Sequence, residues 1–283
     1  MHECFEEETI SRTELPTGTD QCLAYEEDSV AVLTLNRPQA RNALTKEMLS
    51  GLEKALDYAE RASSVRAVVV TGAGGAFCAG GDVKAMAAGS GSDAVPLDER
   101  IHAQRLSQRN TAGRMYLMPK PVVAMLPGPA AGAGLALALA ADLRTMAETA
   151  FITTAFARVG YSGDYGGTFF LSHLVGSAKA KELYFLSERV SAVECKHLGI
   201  ANFIYRADHL EEQTMALARR LAAGPPVAYR YMKENLNRAA MGAGVIECLD
   251  LETTHQVHTG LTEDHREGAR AFVEKREPVF KGR

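Results

Sequence analysis

The stretch Lys120 to Asp142, KPVVAMLPGPAAGAGLALALAAD, has the residue order of a site for an anion or an oxyanion. Pro121 to Leu126 is a short apolar run rich in β-branched residues, which predicts a buried strand. Pro127, Gly128 and Pro129 end it. Ala130-Ala131-Gly132-Ala133-Gly134 follow, with no side chain larger than a methyl, and Leu135 to Ala141 predicts a helix. The first N–H groups of a helix have no partner inside it, and the helix dipole adds partial positive charge there. Small residues let a ligand oxygen reach those N–H groups. Close packing of a helix on a sheet also asks for Gly and Ala, so this stretch alone supports both readings.

The same order recurs upstream. Arg66 to Thr71 (RAVVVT) predicts a buried strand that runs into the glycine-rich loop Gly72 to Asp82 (GAGGAFCAGGD), with a helix starting near Val83. A third glycine-rich turn, Gly160 to Thr168 (GYSGDYGGT), opens a helix carrying Phe169, Phe170, Leu171 and Leu174, and Ala178 to Leu186 predicts a further helix. Several familiar motifs fail. A dinucleotide fingerprint needs glycine at position 77 or 137, where Phe77 and Leu137 stand. No GK[ST] follows a glycine loop. Asp164 replaces the closing glycine of a nucleophile elbow after Gly160-Tyr161-Ser162-Gly163. His255, His258 and His265 lie in a charged helical stretch and read as solvated rather than metal-ligating.

The elements that must position these turns are legible around them. Ser29 to Leu35 alternates like a strand, and a polar turn, Asn36 to Asn42, follows. Thr45 caps a helix from Lys46, whose buried face is Met48, Leu49, Leu52, Leu56 and Ala59. Leu97 to Leu117 predicts a helix, and Ala87 to Pro96 a small, polar, mobile connection. Leu143 to Ala147, Ala150 to Thr154 and Ala201 to Tyr205 predict strands. Ser191 with Glu194 forms a capping box for a helix through Leu198. From His209 the pattern is helical, broken at Gly224-Pro225-Pro226. The expected organisation is a flexible tail over residues 1–20, an α/β core over 21–208 and a helical segment over 209–283.

Composition limits the function classes. With 283 residues, 46% hydrophobic and 23% charged, the chain can bury one large core. A net charge of −4, with lysine and arginine scattered, argues against a nucleic-acid or anionic-membrane partner. The longest apolar run, around Leu135 to Ala141, is too short and too broken to span a bilayer. The acidic N-terminus does not read as a signal peptide. Five widely spaced cysteines without a CxxC pattern predict neither a disulfide framework nor a zinc site, and fit a reducing, cytoplasmic setting.

Four stretches in this order and spacing resemble the crotonase (enoyl-CoA hydratase/isomerase) superfamily: LNRPQARNALT, AVVVTGAGGAFCAGGDVKAM, KPVVAMLPGPAAGAGLALALAADL and LTEDHREGARAFVEKREPVFKG. The resemblance covers roughly Cys22 to Gly282. It implies an α/β fold, a spiral of ββα units with a helical C-terminal segment that assembles trimers, often paired as hexamers. It implies an acyl-CoA thioester as substrate, with coenzyme A arriving as part of it and no further cofactor or metal. Carried over by motif position, the two N–H groups that hold the thioester oxygen of a forming enolate belong to Gly81 and Ala133. Ala40 is then expected to present backbone to the adenine. Ala79, Lys84, Gly134 and Phe156 are expected along the substrate, and Asp82 beside it, holding the turn.

The sequence departs from the hydratases where they carry their two glutamates: these positions are Ala136 and Phe156. Neither side chain has an oxygen to hold or move a proton. Asp164 instead falls where several isomerases of the family carry a catalytic aspartate. Moving a proton between two carbons of a thioester needs one base that takes it and returns it. An apolar pocket would raise the Asp164 pKa toward that task, while the competing reading makes Asp164 the cap of the following helix. The expectation is an isomerase that moves a double bond from the 3- to the 2-position with Asp164 as acid and base. The rivals are another crotonase-type reaction (hydration, thioester hydrolysis or C–C cleavage) with Asp98, Glu99 or His102 as the acid or base, and an acyl-CoA-binding protein without catalysis.

Overall fold

The computed structural model describes residues 12–87 and 95–283. Its centre is a seven-stranded sheet in the order β1 (Thr13–Glu14), β2 (Cys22–Glu27), β3 (Val30–Leu35), β4 (Ala67–Gly72), β5 (Val122–Leu126), β7 (Leu143–Ala147), β10 (Phe203–Tyr205). The two outer pairings, β1 with β2 and β2 with β3, are antiparallel, and the rest are parallel. β4 and β5 are buried along their whole length, as continuous apolar runs in a doubly covered parallel sheet should be. A second sheet of three short strands joins β6 (Ala130–Ala131), β8 (Phe151–Thr153) and β9 (Val190–Ser191).

Helices cover both sheets. α1 (Lys46–Arg61) starts where Thr45 Oγ1 accepts from Met48 N–H at 3.0 Å, and buries Met48, Leu52, Leu56 and Ala59. After the short α2 (Val83–Ala87), α3 (Leu97–Gln108) and α4 (Arg114–Leu117) form one rod interrupted by a single π turn at Arg109–Gly113. α5 (Ala133–Leu139) is buried on every side, against the sheet and against α6 (Gly167–Leu186). α6 is not one straight helix: Gly176, at φ 77° and ψ 158°, breaks it. The sequence reading of two helices there matches this break. α7 (Ala192–His197) is capped by Ser191, whose Oγ accepts from Glu194 N–H at 3.2 Å.

Two boundaries differ from the sequence reading. The polar N-terminal stretch is tied down from Thr13 onward: β1 pairs with β2, Leu15 and Thr17 are buried, and Thr17 Oγ1 donates to Cys22 O at 2.6 Å. Residues 1–11 of the expected tail, and 88–94 of the expected mobile connection, lie outside the described residues. The second difference is at 208/209. α8 (Leu210–Ala222) belongs to the core layer: it packs on β4, β5 and β7, and buries Leu210, Met215 and Ala218. Its Thr214 Oγ1 shares a hydrogen bond of 2.8 Å with Thr145 Oγ1 of β7. The separate helical segment begins after Gly224 and comprises α9 (Pro226–Ala240), α10 (Val245–Gly260) and α11 (Glu263–Glu274).

One buried side chain holds the polar turn after β3 against the loop after β4. Asn42 is fully buried. Its Oδ1 accepts from Arg37 N–H at 2.9 Å, and its Nδ2 donates to Ala73 O and Ala76 O, each at 2.9 Å. Truncation would strand those carbonyls in the interior. Asn42→Ala is expected to lower unfolding free energy by about 3 kcal/mol, read from urea denaturation. A loss under about 1 kcal/mol would show that the loop holds its shape without this residue.

Candidate active site

Two chain reversals meet at the ends of β4 and β5. The loop after β4 is laced to the turn after β5 by main-chain bonds: Phe77 and Cys78 N–H donate to Pro129 O at 3.0 and 3.2 Å, and Ala131 N–H donates to Cys78 O at 2.9 Å. The approach is too close for side chains. A methyl on Gly128 would lie 2.0 Å from Gly75 O, and one on Gly134 would lie 2.5 Å from Cys78 O. Gly80, at φ 88°, brings the loops into register: a methyl there would sit 2.8 Å from Ala131 O and 3.3 Å from Ala133 N. The next peptide carries the Gly81 N–H, one residue along from the point that Ala133 N approaches. Ala133 opens α5 behind Gly132, at φ 51°. Among the described residues neither N–H has an acceptor. Two donors without acceptors on facing loops, one of them at a helix N-terminus, are of the kind that suits a developing negative oxygen.

The flanking residues divide into holders and open positions. Asp82 holds its turn: Oδ1 accepts from Ala85 N–H at 3.1 Å, and Oδ2 pairs with the Arg37 guanidinium at 3.2 Å. The Ala85 N–H first, and then Arg37, keep its carboxyl below the usual carboxylate range. Gly134 is used up by its contact with Cys78. Ala40 closes the turn that follows β3, its N–H donating to Arg37 O and its carbonyl accepting from Ala43 N–H. Ala79 is half-buried with its N–H on Arg41 O, and Lys84 is exposed on α2.

Asp164 is the carboxylate of the site. It does not cap α6: the N-cap is Gly166 and no side chain bonds there. The turn is closed instead by the main chain, Gly167 N–H donating to Asp164 O at 3.0 Å. Asp164 Oδ1 is buried without a hydrogen-bond partner among the described residues. Burial pushes its carboxyl up to about 6. Its charge is felt at Cys78, in the first oxyanion loop, and at Tyr184. A carboxylate poised near neutrality can take and return a proton.

The sequence pattern described as enoyl-CoA hydratase/isomerase matches residues 25–283. The chain belongs to the enoyl-CoA hydratase/isomerase family. The Bacillus subtilis (strain 168) protein YngF, which bears the same family designation, is 36% identical over 268 residues, 94% of this chain and 99% of that protein. The 1,2-epoxyphenylacetyl-CoA isomerase of Escherichia coli (strain K12) is 34% identical over 264 residues, 92% of this chain and 98% of that protein. The crystal structure of an enoyl-CoA hydratase from Polaromonas sp. JS666 superposes with a TM-score of 0.86 at 32% identity, covering 92% of this chain and 99% of that one.

Within this enoyl-CoA hydratase/isomerase fold, Ala136 and Phe156 lie on either side of the turn that opens α5. Ala136 lies on α5 one turn after Ala133, and its methyl is 3.1 Å from where a Gly167 side chain would begin. The buried Phe156 ring lies 3.8 Å from the corresponding point on Gly132. Asp98, Glu99 and His102 are all exposed on α3. Sequence reasoning missed Asn42, Arg37 and Tyr184. The first two stood inside a recognised stretch without a visible task, and Tyr184 read only as part of a helix. A cavity of about 470 Å³, lined by Tyr116, Phe169, Phe170, Lys233 and Leu236 among others, marks the seam where α9 docks, and contains none of the candidate residues.

The raised carboxyl of Asp164 has a cost that can be measured. Its folded pKa lies above the ordinary carboxylate value, so the folded state binds this proton more tightly than the unfolded chain. The stability linked to the group is complete below about pH 4 and is lost as pH rises through about 6. Asp164→Asn removes that loss. The variant is expected to be more stable than the parent at pH 7.5 by about 1–2 kcal/mol, with no gain at pH 4. Thermal or urea unfolding at both pH values checks this; an equal effect at both would mean that ionisation is not the cause.

Proposed function

We propose that this enoyl-CoA hydratase/isomerase family member is an acyl-CoA isomerase that moves a double bond from the 3- to the 2-position. The observation that carries the reading is Asp164: a half-buried carboxyl whose Oδ1 is buried without a partner among the described residues, free of any capping role, in a site where neither Ala136 nor Phe156 supplies a second proton carrier. The thioester oxygen of a 3-enoyl-CoA accepts from the Gly81 and Ala133 N–H groups. Asp164 removes a proton from C2, and the electron pair of that C–H bond flows toward the thioester oxygen, giving a dienolate. The protonated Asp164 then delivers the proton to C4. The C2=C3 double bond forms, the carbonyl is restored, and the carboxylate is regenerated. Burial does two things here: it raises the basicity of Asp164 and it strengthens the donors' hold on the oxyanion.

Hydration would require a water molecule activated on one side and a proton delivered on the other. That task suits a pair of carboxyl groups, and the second is not supplied at the two family positions. The relatives' names include both hydratases and an isomerase. For assembly we propose a trimer or a pair of trimers, supported by apolar side chains that α9 and α10 leave in solvent, Leu236, Val245, Ile246, Leu249 and Val257. No described helix is long and apolar enough to cross a membrane.

The test is proton exchange in D₂O with a 3-enoyl-CoA, read by mass spectrometry together with the position of the double bond. The parent protein is expected to exchange C2 and C4 protons and to isomerise. kcat/KM should rise with pH through an apparent pKa of about 6. Asp164→Asn should lower it about 10³-fold. Undiminished exchange in Asp164→Asn would move the base to His102 or its neighbours. Exchange in neither protein, across several acyl groups, would leave acyl-CoA binding without catalysis.

The oxyanion donors can be tested separately. Ala133 is the first residue of α5, where proline is accepted because its missing N–H has no helical partner. Ala133→Pro is expected to keep the fold and lower kcat about 10²–10³-fold. A change of less than about threefold would remove Ala133 from the oxyanion hole.

A further inference from the structure

The bonds that hold the end of the first glycine loop also decide where the short helix α2 puts its side chains. Asp82 Oδ1 accepts from Ala85 N–H at 3.1 Å, and Asp82 O accepts from Met86 N–H at 3.0 Å. The Arg37 guanidinium holds the other carboxylate oxygen at 3.2 Å. The chain is thereby turned back over Gly81. A side chain on Gly81 would begin 2.5 Å from the Met86 methyl and 3.9 Å from the Met86 sulfur. Among the described residues, apart from Gly80 and Asp82, no other heavy atom lies within 4 Å of that point. Met86 is therefore the cover on this side of Gly81, the residue whose N–H has no acceptor among the described residues.

A thioether is a weak acceptor, so this cover leaves the Gly81 N–H to a substrate oxygen. It is also open to solvent. Met48, Met115, Met118, Met125, Met146 and Met215 are buried in the core, whereas Met86 is 46% exposed. The other exposed methionines among the described residues, Met232 and Met241, belong to α9 and its C-terminal cap. Oxidation turns a flexible apolar methionine into a polar sulfoxide, and at Met86 the new oxygen would be carried by the side chain that lies against Gly81.

We propose that Met86 is an oxidation site whose sulfoxide closes the oxyanion hole, with a peroxide as the oxidant. A lone pair of Sδ attacks one peroxide oxygen and the O–O bond breaks. The proton on the transferred oxygen passes to the leaving oxygen. Sulfur is oxidised to the sulfoxide, and hydrogen peroxide is reduced to water. The sulfoxide oxygen then accepts from the Gly81 N–H and takes the place of the thioester oxygen. The proposal rests on Gly81 as the donor assigned above, but not on isomerase chemistry.

The test uses hydrogen peroxide on the parent, on Met86→Leu and on the double variant Met232→Leu, Met241→Leu. Peptide mass spectrometry locates the sulfoxides, and proton exchange with a 3-enoyl-CoA is read against each protein's own untreated sample. The parent and the double variant are expected to lose at least about tenfold in exchange rate, in step with the fraction of Met86 oxidised. Met86→Leu should stay within about twofold, and methionine sulfoxide reductases for both epimers should restore the parent. An equal loss in Met86→Leu, oxidised Met86 without loss, or a Met86 that resists peroxide overturns the proposal. If the untreated parent exchanges no protons, the isomerase reading falls, and calorimetry with butyryl-CoA decides the role of Met86. Binding about fivefold weaker after oxidation of the parent, with no such change in Met86→Leu, upholds it; equal binding before and after overturns it.

Discussion

Two peptide N–H groups, on Gly81 and Ala133, stay without acceptors among the described residues while the backbone around them is hydrogen-bonded. This is the constraint on which the rest of the structure depends. An interior donor normally finds a partner, and leaving one unpaired is costly. It persists here because its neighbours are fixed first. Cys78 and Ala131 share a main-chain bond, Asn42 ties the first loop to the turn after β3, and Asp82 with Arg37 closes the first loop's end. Glycine at 80, 128 and 134 is required by the distance of approach, since a methyl at any of them would press on backbone of the other loop. Preorganised donors of this kind need no rearrangement when charge develops on a substrate oxygen.

The same economy shapes the third turn. Its main chain closes on itself through Gly167 N–H and Asp164 O, so the Asp164 side chain does not cap the helix, and its Oδ1 stays buried and unpaired among the described residues. Stability is given up there, since an apolar setting disfavours the ionised form; under the proposed function that form is the base. The break at Gly176 matters for the same region. It folds the second half of α6 back, so that Tyr184 and Phe156 wall the space beside Asp164.

The C-terminal helices meet the core in two different ways. α8 is a core helix, buried along one face against the sheet. α9 is anchored at points: Lys233 Nζ donates to Met115 O at 2.9 Å and to Asp142 Oδ2 at 2.8 Å, and Asn237 Nδ2 donates to Tyr116 O at 2.8 Å. Asp142 also accepts from Val122 N–H at 2.7 Å, so one carboxylate links the start of β5, the end of the α5 segment and α9. Beyond these anchors α9 and α10 carry apolar residues in solvent.

The sequence by itself determined the strand, glycine-loop and helix units and the place of an aspartate in the third turn. Each is a local signal: apolar periodicity, glycine-rich turns, a cap residue at a helix start. The expected oxyanion positions and the missing family glutamates came from the resemblance to the family. Tertiary structure alone decided that Asp164 is not a cap, that Asn42 spans two loops, that α8 belongs to the core, that residues from Thr13 join the sheet, and that Tyr184 returns to the Asp164 turn. The physical reason is range. A cap or a turn is written within a few residues, whereas the carbonyls that Asn42 Nδ2 holds lie more than thirty positions away, and the glycines that Tyr184 meets about twenty. Their pairing follows from how the sheet and the broken helix bring distant backbone together, and no spacing in the chain records it.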